Sequence, residues 1–226
     1  MAESDRYIPP LRYGWLTPLY DPLLRRLMPE LALKRRLIDQ AQIASGHRVL
    51  DLGSGTGTLA ILIKQTNPGS EVVGLDADPK ALALSHTKAP AAGVEVRFDH
   101  GLAFRLPYGD NSFDRVLSSL VFHHLSPENK RRALREVFRV LRPGGELHIL
   151  DFGKPHHALA RLVSLVMRRF EETADNIKGV LPEMLRQAGL TEVEVTAQQM
   201  TVFGTLSFYK GRKPALPVEG PRELSR

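Results

Sequence analysis

The sequence predicts an α/β fold built on a parallel sheet, and three stretches carry that prediction. HRVLDLGSGTG (residues 47–57) joins a short apolar run, Val49, Leu50 and Leu52, to a turn holding Gly53, Gly55 and Gly57. TLAILIKQ follows with the apolar spacing of a helix lying on a sheet. EVVGLDADPKALA (71–83) repeats the strand-to-helix pattern, with Asp76 at the strand's end and Pro79 opening the helix. Successive βα units of this kind build the open sheets that bind nucleotides.

The glycine spacing narrows the ligand. A dinucleotide fingerprint is G-x-G-x-x-G, whereas here the third glycine falls one place early, at Gly57, and Thr58 takes the expected position. Asp51 beside the turn would repel a pyrophosphate and attract an ammonium. S-adenosylmethionine offers an ammonium, an adenosine and no phosphate, so it suits this turn better than NAD. Asp76 stands about 20 residues past the glycines, where a carboxylate accepts ribose hydroxyls. A helix-capping role is the plainer alternative for Asp76.

Together DLGSGTG, LDADP, RLPYGDNSFDRVLSSLVFHHL and VLRPGGELHILDFGKP resemble the successive motifs of class I S-adenosylmethionine-dependent methyltransferases. More narrowly they resemble the ubiquinone/menaquinone biosynthesis C-methyltransferase-like (methyltransferase type 11) group, over most of residues 18–210. The resemblance implies a Rossmann-like, doubly wound, seven-stranded sheet, mostly parallel, with an antiparallel hairpin at its C-terminal edge. It also implies that Asp51, Gly53, Ser54, Gly55 and Gly57 hold the amino-acid part of S-adenosyl-L-methionine. Asp76 and Ala77 would then meet the ribose, Gly101, Leu102 and Ala103 the adenine, and Ser118 the same cleft. In place of the family's Gly-Asp-Ala the chain has Gly101-Leu102-Ala103. Leu102 cannot accept from the adenine amino group, which leaves stacking, backbone groups, Asp99 or His100 for that task.

Composition excludes several chemistries. With 226 residues the chain suits one α/β domain, and without cysteine it has no disulfide, no thiolate nucleophile and no cysteine-bound zinc. The N-terminus MAESDRYIPP lacks an apolar signal core, and no stretch is long and apolar enough for a membrane span, so the expected location is cytoplasmic. A formal charge of +6 permits anionic partners, but most basic residues fall at helical spacing among acids, as on a solvated face. Nucleic acid is therefore an improbable partner. No metal cluster is expected.

The remaining elements follow in order. Residues 1–45 form an aromatic arm (Tyr7, Tyr13, Trp15) and two cap helices broken at Pro29, with Tyr20-Asp21 either a ligand contact or a packing pair. Residues 46–211 are the methyltransferase-like domain. VEVRF (94–98) reads as the third strand and RVLSSLV (115–121) as the fourth. His123 and His124 stand at the fourth strand's carboxyl end, where ligands gather, and either is a candidate general base; packing and capping are the alternatives. SSLVFHHL also lacks the Pro-Pro motif of base-amine methylases. Ser126 caps a helix carrying Leu134, Val137, Phe138 and Leu141 on one face, and a Pro-Gly-Gly turn leads to the fifth strand. An apolar-faced insert at about 154–176 reads as a lid over a hydrophobic acceptor, with arginines 161, 168 and 169 able to meet a membrane surface, or as a core or homodimer helix. A helix over 177–189 stops at Gly189, LTEVEVT pairs with MTVFGTLSFYKG, and 212–226 is a proline-rich tail.

The expected function is methyl transfer to a small, hydrophobic acceptor such as a quinol, phenol or lipid-like molecule. The rivals are a nicotinamide-dependent oxidoreductase, an RNA methyltransferase and a non-catalytic cofactor-binding regulator.

Overall fold

The computed structural model describes residues 30–154, 179–201 and 204–215. The expected N-terminal arm, the Tyr20-Asp21 pair, all but the first residue of the insert and the tail from 216 onward lie outside them. Seven strands form one sheet: β1 (Arg48–Leu52), β2 (Glu71–Asp76), β3 (Arg97–His100), β4 (Phe113–Ser119), β5 (Leu141–Phe152), β6 (Thr191–Thr201) and β7 (Gly204–Arg212). Their spatial order is β3-β2-β1-β4-β5-β7-β6; β3 to β5 run parallel, and β7 lies antiparallel to both β5 and β6. This is the mostly parallel sheet with a C-terminal antiparallel hairpin that the sequence predicts.

Parallel strands buried on both faces need apolar residues throughout, and the helices supply the cover. On one face α1 (Glu30–Ala41), α2 (Thr58–Thr66) and α3 (Pro79–Ala91) pack Leu37, Ile63 and Leu82 against Val49, Val72 and Phe208. On the other, α4 (Pro127–Val140) and α5 (Leu181–Gln187) pack Leu134, Val137 and Leu185 against Val116, Ile149 and Tyr209. The strand order reverses between β1 and β4, so a crevice opens at their carboxyl ends, the usual ligand site of such sheets.

Several boundaries move. The third strand runs to His100 because Asp76 pairs with His100 in register, and it starts only at Arg97. The fourth starts at Phe113, two residues early. The expected Pro-Gly-Gly turn is instead an irregularity within β5, whose register against β4 shifts between Phe113 and Arg115. Within 177–189 the described helix spans only Leu181–Gln187, and Gly189 follows at φ 97°. Met200 and Thr201 belong to β6, with Thr201 paired to Gly204. Arg212 closes β7, and the Lys213 ammonium bonds the Leu141 carbonyl at 2.7 Å and Asn111 at 2.8 Å, so the folded part extends past residue 211. The helix before β1 packs on the sheet, with Leu33, Leu37, Ile38 and Ala41 buried.

Candidate active site

The glycine turn is tied to the strand beside it. The amides of Gly53 and Ser54 both donate to the Leu75 carbonyl, at 2.8 and 2.9 Å, and Gly57 donates to Ser54. Gly55 donates to Asp76 Oδ2 at 2.6 Å. These four amides are therefore satisfied within the protein, with a carboxylate in their midst. A pyrophosphate, which needs free amides and no neighbouring negative charge, does not fit.

The glycines differ in what they make possible. A Cβ on Gly53 would come within 2.4 Å of Val121 Cγ2, and one on Gly57 within 2.7 Å of Phe98. Both also have positive φ. A Cβ on Gly55 would meet nothing within 4 Å, which marks the open side of the turn. Ser54 Oγ is buried without a hydrogen-bond partner.

Asp76 does not cap α3. That role belongs to Asp78, whose side chain accepts from Lys80 N at 2.9 Å, while Asp76 Oδ1 accepts from Asp78 N at 2.9 Å. Each Asp76 oxygen retains a lone pair beyond these bonds, as the ribose reading requires. Ala77 lies alongside, its carbonyl 3.2 Å from His100 Nε2. Gly101 donates to the Asp76 carbonyl, and Leu102 accepts from Arg105, so Gly101–Ala103 turn beside Asp76. Asp99 is already engaged by Arg97 Nε at 2.9 Å and Tyr108 OH at 3.1 Å.

Two expected cofactor residues point inward. Asp51 is only 1% exposed, and its Oδ2 accepts from Ala60 N at the start of α2 at 3.0 Å. Burial raises its carboxyl to about 7, with Asp76 adding to the rise and Lys34 and the Ala60 amide opposing it. Ser118 is fully buried and donates to the Leu52 carbonyl at 3.0 Å, bridging β4 to β1.

At the carboxyl end of β4 the chain turns sharply. Leu120 adopts φ 59°, a conformation that side chains disfavour and that clusters at functional sites. The turn brings the 3₁₀ segment Phe122–His124 back over the end of β5. There His123 Nδ1 lies 2.9 Å from Asp151 Oδ1, and His123 N donates to Asp151 Oδ2 at 3.3 Å. Burial pushes the Asp151 carboxyl up. The charge and hydrogen bond of His123, with the amides of Phe152 and His123, outweigh that and hold it below the usual range. An ionised carboxylate only accepts, so Nδ1 carries a proton. His124 is different: burial and its neighbour His123 lower it to about 4, so it is neutral near pH 7. The two rings lie 3.9 Å apart, and Phe152 packs edge-on against His123 at 4.9 Å.

Asp151 is the functional candidate missing from the sequence-based set. A carboxylate ending a buried strand, just before Gly153, was the available signal, but only the fold places it against His123.

Residues 49–145 match the family described as "Methyltransferase domain". The "Ubiquinone/menaquinone biosynthesis C-methyltransferase UbiE" of Pseudomonas paraeruginosa is 31% identical over 205 residues, covering 80% of this chain and 78% of that protein. The chain belongs to the S-adenosylmethionine-dependent methyltransferases. Another member of the family, the "Demethylmenaquinone methyltransferase" of Thermus thermophilus, is 43% identical over 146 residues, covering 63% of this chain. The chain spans 65% of that relative's length and 61% of its Deinococcus radiodurans counterpart's. The YcgJ protein of Bacillus subtilis shares the methyltransferase's fold, with a TM-score of 0.66 at 21% identity, covering 82% of this chain and 100% of that one.

Proposed function

We propose that this protein transfers a methyl group from S-adenosylmethionine to a small quinol- or phenol-type acceptor. The observation that carries the reading is the buried Asp151–His123 pair, set beside a glycine turn in which the Gly53, Ser54, Gly55 and Gly57 amides are all engaged within the protein. The names of the Thermus and Pseudomonas relatives support a quinone-type acceptor.

Asp51, Gly53, Ser54, Gly55 and Gly57 would hold the amino-acid end of the cofactor, Asp76 and Ala77 the ribose, and Gly101, Leu102 and Ala103 the adenine. Bound S-adenosylmethionine supplies a methyl activated by a positive sulfonium: its S–CH3 bond breaks as the acceptor's new bond to carbon forms, sulfur keeps the electron pair, and one acceptor proton is released. His123 takes that proton on Nε2, and Asp151 stabilises the resulting imidazolium. His124, shifted to about 4, is poorly matched to this task and serves better as apolar packing around His123. Ser118 fixes the frame from behind through Leu52, and Asp51 also clamps the start of α2 through the Ala60 amide. Holding acceptor and methyl in line supplies much of the acceleration.

The test is to supply labelled S-adenosylmethionine with reduced naphthoquinone, a simple phenol, a phospholipid or RNA. Label in the quinol or phenol is the expected result; label only in RNA, or in none, refutes the reading. Cytoplasmic placement, peripheral membrane contact and a homodimer belong to the same proposal. Among the described residues no helix is long and apolar enough to cross a membrane. Cell fractionation, vesicle flotation and sedimentation test the three in turn.

A further inference from the structure

We infer that a cavity of about 450 Å³ on the α5 face of the β6–β7 hairpin receives the oxygen-bearing ring of the methyl acceptor, with Gln198 as the residue that reads a ring oxygen. The inference rests on the proposed methyl transfer and assigns its acceptor a place. Ser207 and Tyr209 form the floor, Val195 and Pro182 the walls, Lys154 supplies a donor, and Gln198 offers its Oε1 as an acceptor. The volume falls in the ~300–1,000 Å³ range of small-molecule sites.

Strand register decides which face this is. Ser207 stands directly opposite Asp151, and Tyr209 opposite Ile149, in the β5–β7 pair. Directly opposed residues of antiparallel strands project to the same face, with Cβ atoms about 4.5–5.5 Å apart. The cavity floor thus lies one strand over from the carboxylate that holds His123, on the same side of the sheet. Val195, opposite Tyr209, and Gln198, opposite Ser207, continue that face onto β6. Gly153 packs closely on that floor, for a Cβ there would sit 2.9 Å from Tyr209 OH and collide with Ser207 Oγ.

The polar groups form a directed chain. Gln198 Nε2 donates to Ser207 Oγ at 3.2 Å and to the Lys154 carbonyl at 3.4 Å. Ser207 hydrogen-bonds Tyr209, whose hydroxyl reaches the Phe152 carbonyl at 3.4 Å. Burial raises the Tyr209 hydroxyl to about 12, so it remains a neutral group on which Ser207 and then Gln198 are oriented. Apolar walls, an amide fixed with only its oxygen free to accept, and one ammonium suit a flat ring with a hydroxyl, such as a reduced 1,4-naphthoquinone. They do not suit a polyphosphate or a nucleic-acid strand.

The experiment measures steady-state methyl transfer to reduced 1,4-naphthoquinone and S-adenosylhomocysteine binding for wild type, Gln198→Leu and Val195→Trp. Gln198 and Val195 lie on the edge strand, outside the proposed cofactor and proton-transfer residues. Gln198→Leu should raise KM for the quinol about three- to tenfold, the worth of one hydrogen bond, with KM for S-adenosylmethionine unchanged. Val195→Trp should fill the cavity and lower kcat/KM for the quinol by at least about tenfold while S-adenosylhomocysteine still binds. Unchanged quinol KM in both variants, with wild type active, overturns the cavity assignment and leaves the proposed function standing. A wild type that methylates no quinol or phenol overturns the proposed function first. Quinol shifts at the Gln198 side-chain amide in an NMR titration with S-adenosylhomocysteine present would then support the cavity as a ring site, and their absence would overturn it.

Discussion

The Asp151 carboxylate grips His123 twice, through the ring at 2.9 Å and through the backbone amide at 3.3 Å. Ring orientation and tautomer are thereby set by one buried group. Asp151→Asn keeps the shape but removes the charge that stabilises an imidazolium. Methyl transfer should fall about 10²-fold or more, the usual range for a general base, with S-adenosylhomocysteine affinity unchanged. The pH profile separates this from a packing defect: any pH dependence of kcat that His123 carries should move in Asp151→Asn, whereas a merely loosened site would lower the whole curve without moving it.

Asp76 fastens the glycine turn through Gly55, and in the proposed site it would also accept from the ribose hydroxyls. Replacing it by Ala removes an acceptor for the ribose and frees the turn at once. Cofactor affinity should weaken by about 1–3 kcal/mol, as for hydrogen bonds to a charged group. Calorimetry with S-adenosylhomocysteine measures this, and equal affinity in the two proteins would remove Asp76 from the site.

How much of this was readable beforehand depends on sequence distance. The strand, turn and helix around Asp51 are local, so apolar spacing and three glycines were enough. The place of Asp76 at the end of β2 was legible because its offset from the glycines is a chain distance. The Asp151–His123 pair spans 28 residues and two strands, and nothing in either stretch specifies the other. Which of His123 and His124 meets Asp151 was likewise closed to spacing, since it depends on how the chain turns after β4, where Leu120 takes a positive φ. Boundaries such as β3's were missed because register with β2, not local propensity, carries that strand on to His100.

Gly53 and Val121 meet across the β1–β4 crevice, so the cofactor turn and the rim carrying His123 are in direct contact. Gly53→Ala would force a Cβ to within 2.4 Å of Val121 Cγ2 at φ 74°. Backbone strain alone should cost about 1–3 kcal/mol, with the clash added. In denaturant unfolding, Val121→Ala should recover the clash portion but not the φ portion. Full recovery would mean the turn had abandoned its left-handed geometry.

Asp51 joins stability to ligand binding. Burial raises its carboxyl from the usual value near 4 to about 7. A group with a raised folded-state value favours the folded state fully below the unfolded value, and that contribution is lost as pH rises through the folded one. The free protein should therefore lose stability from about pH 4 to pH 7 on account of this residue. Asp51→Asn, which can still accept from Ala60, should melt higher than wild type at pH 8 and lose that advantage at pH 4. A cationic ligand end near Asp51 favours the ionised form, so binding near pH 7 should release protons. Calorimetry with S-adenosylmethionine in two buffers of different ionisation enthalpy should show this release in wild type and its loss in Asp51→Asn. Identical buffer dependence in the two proteins would separate Asp51 from the ligand and leave it as the clamp on α2 alone.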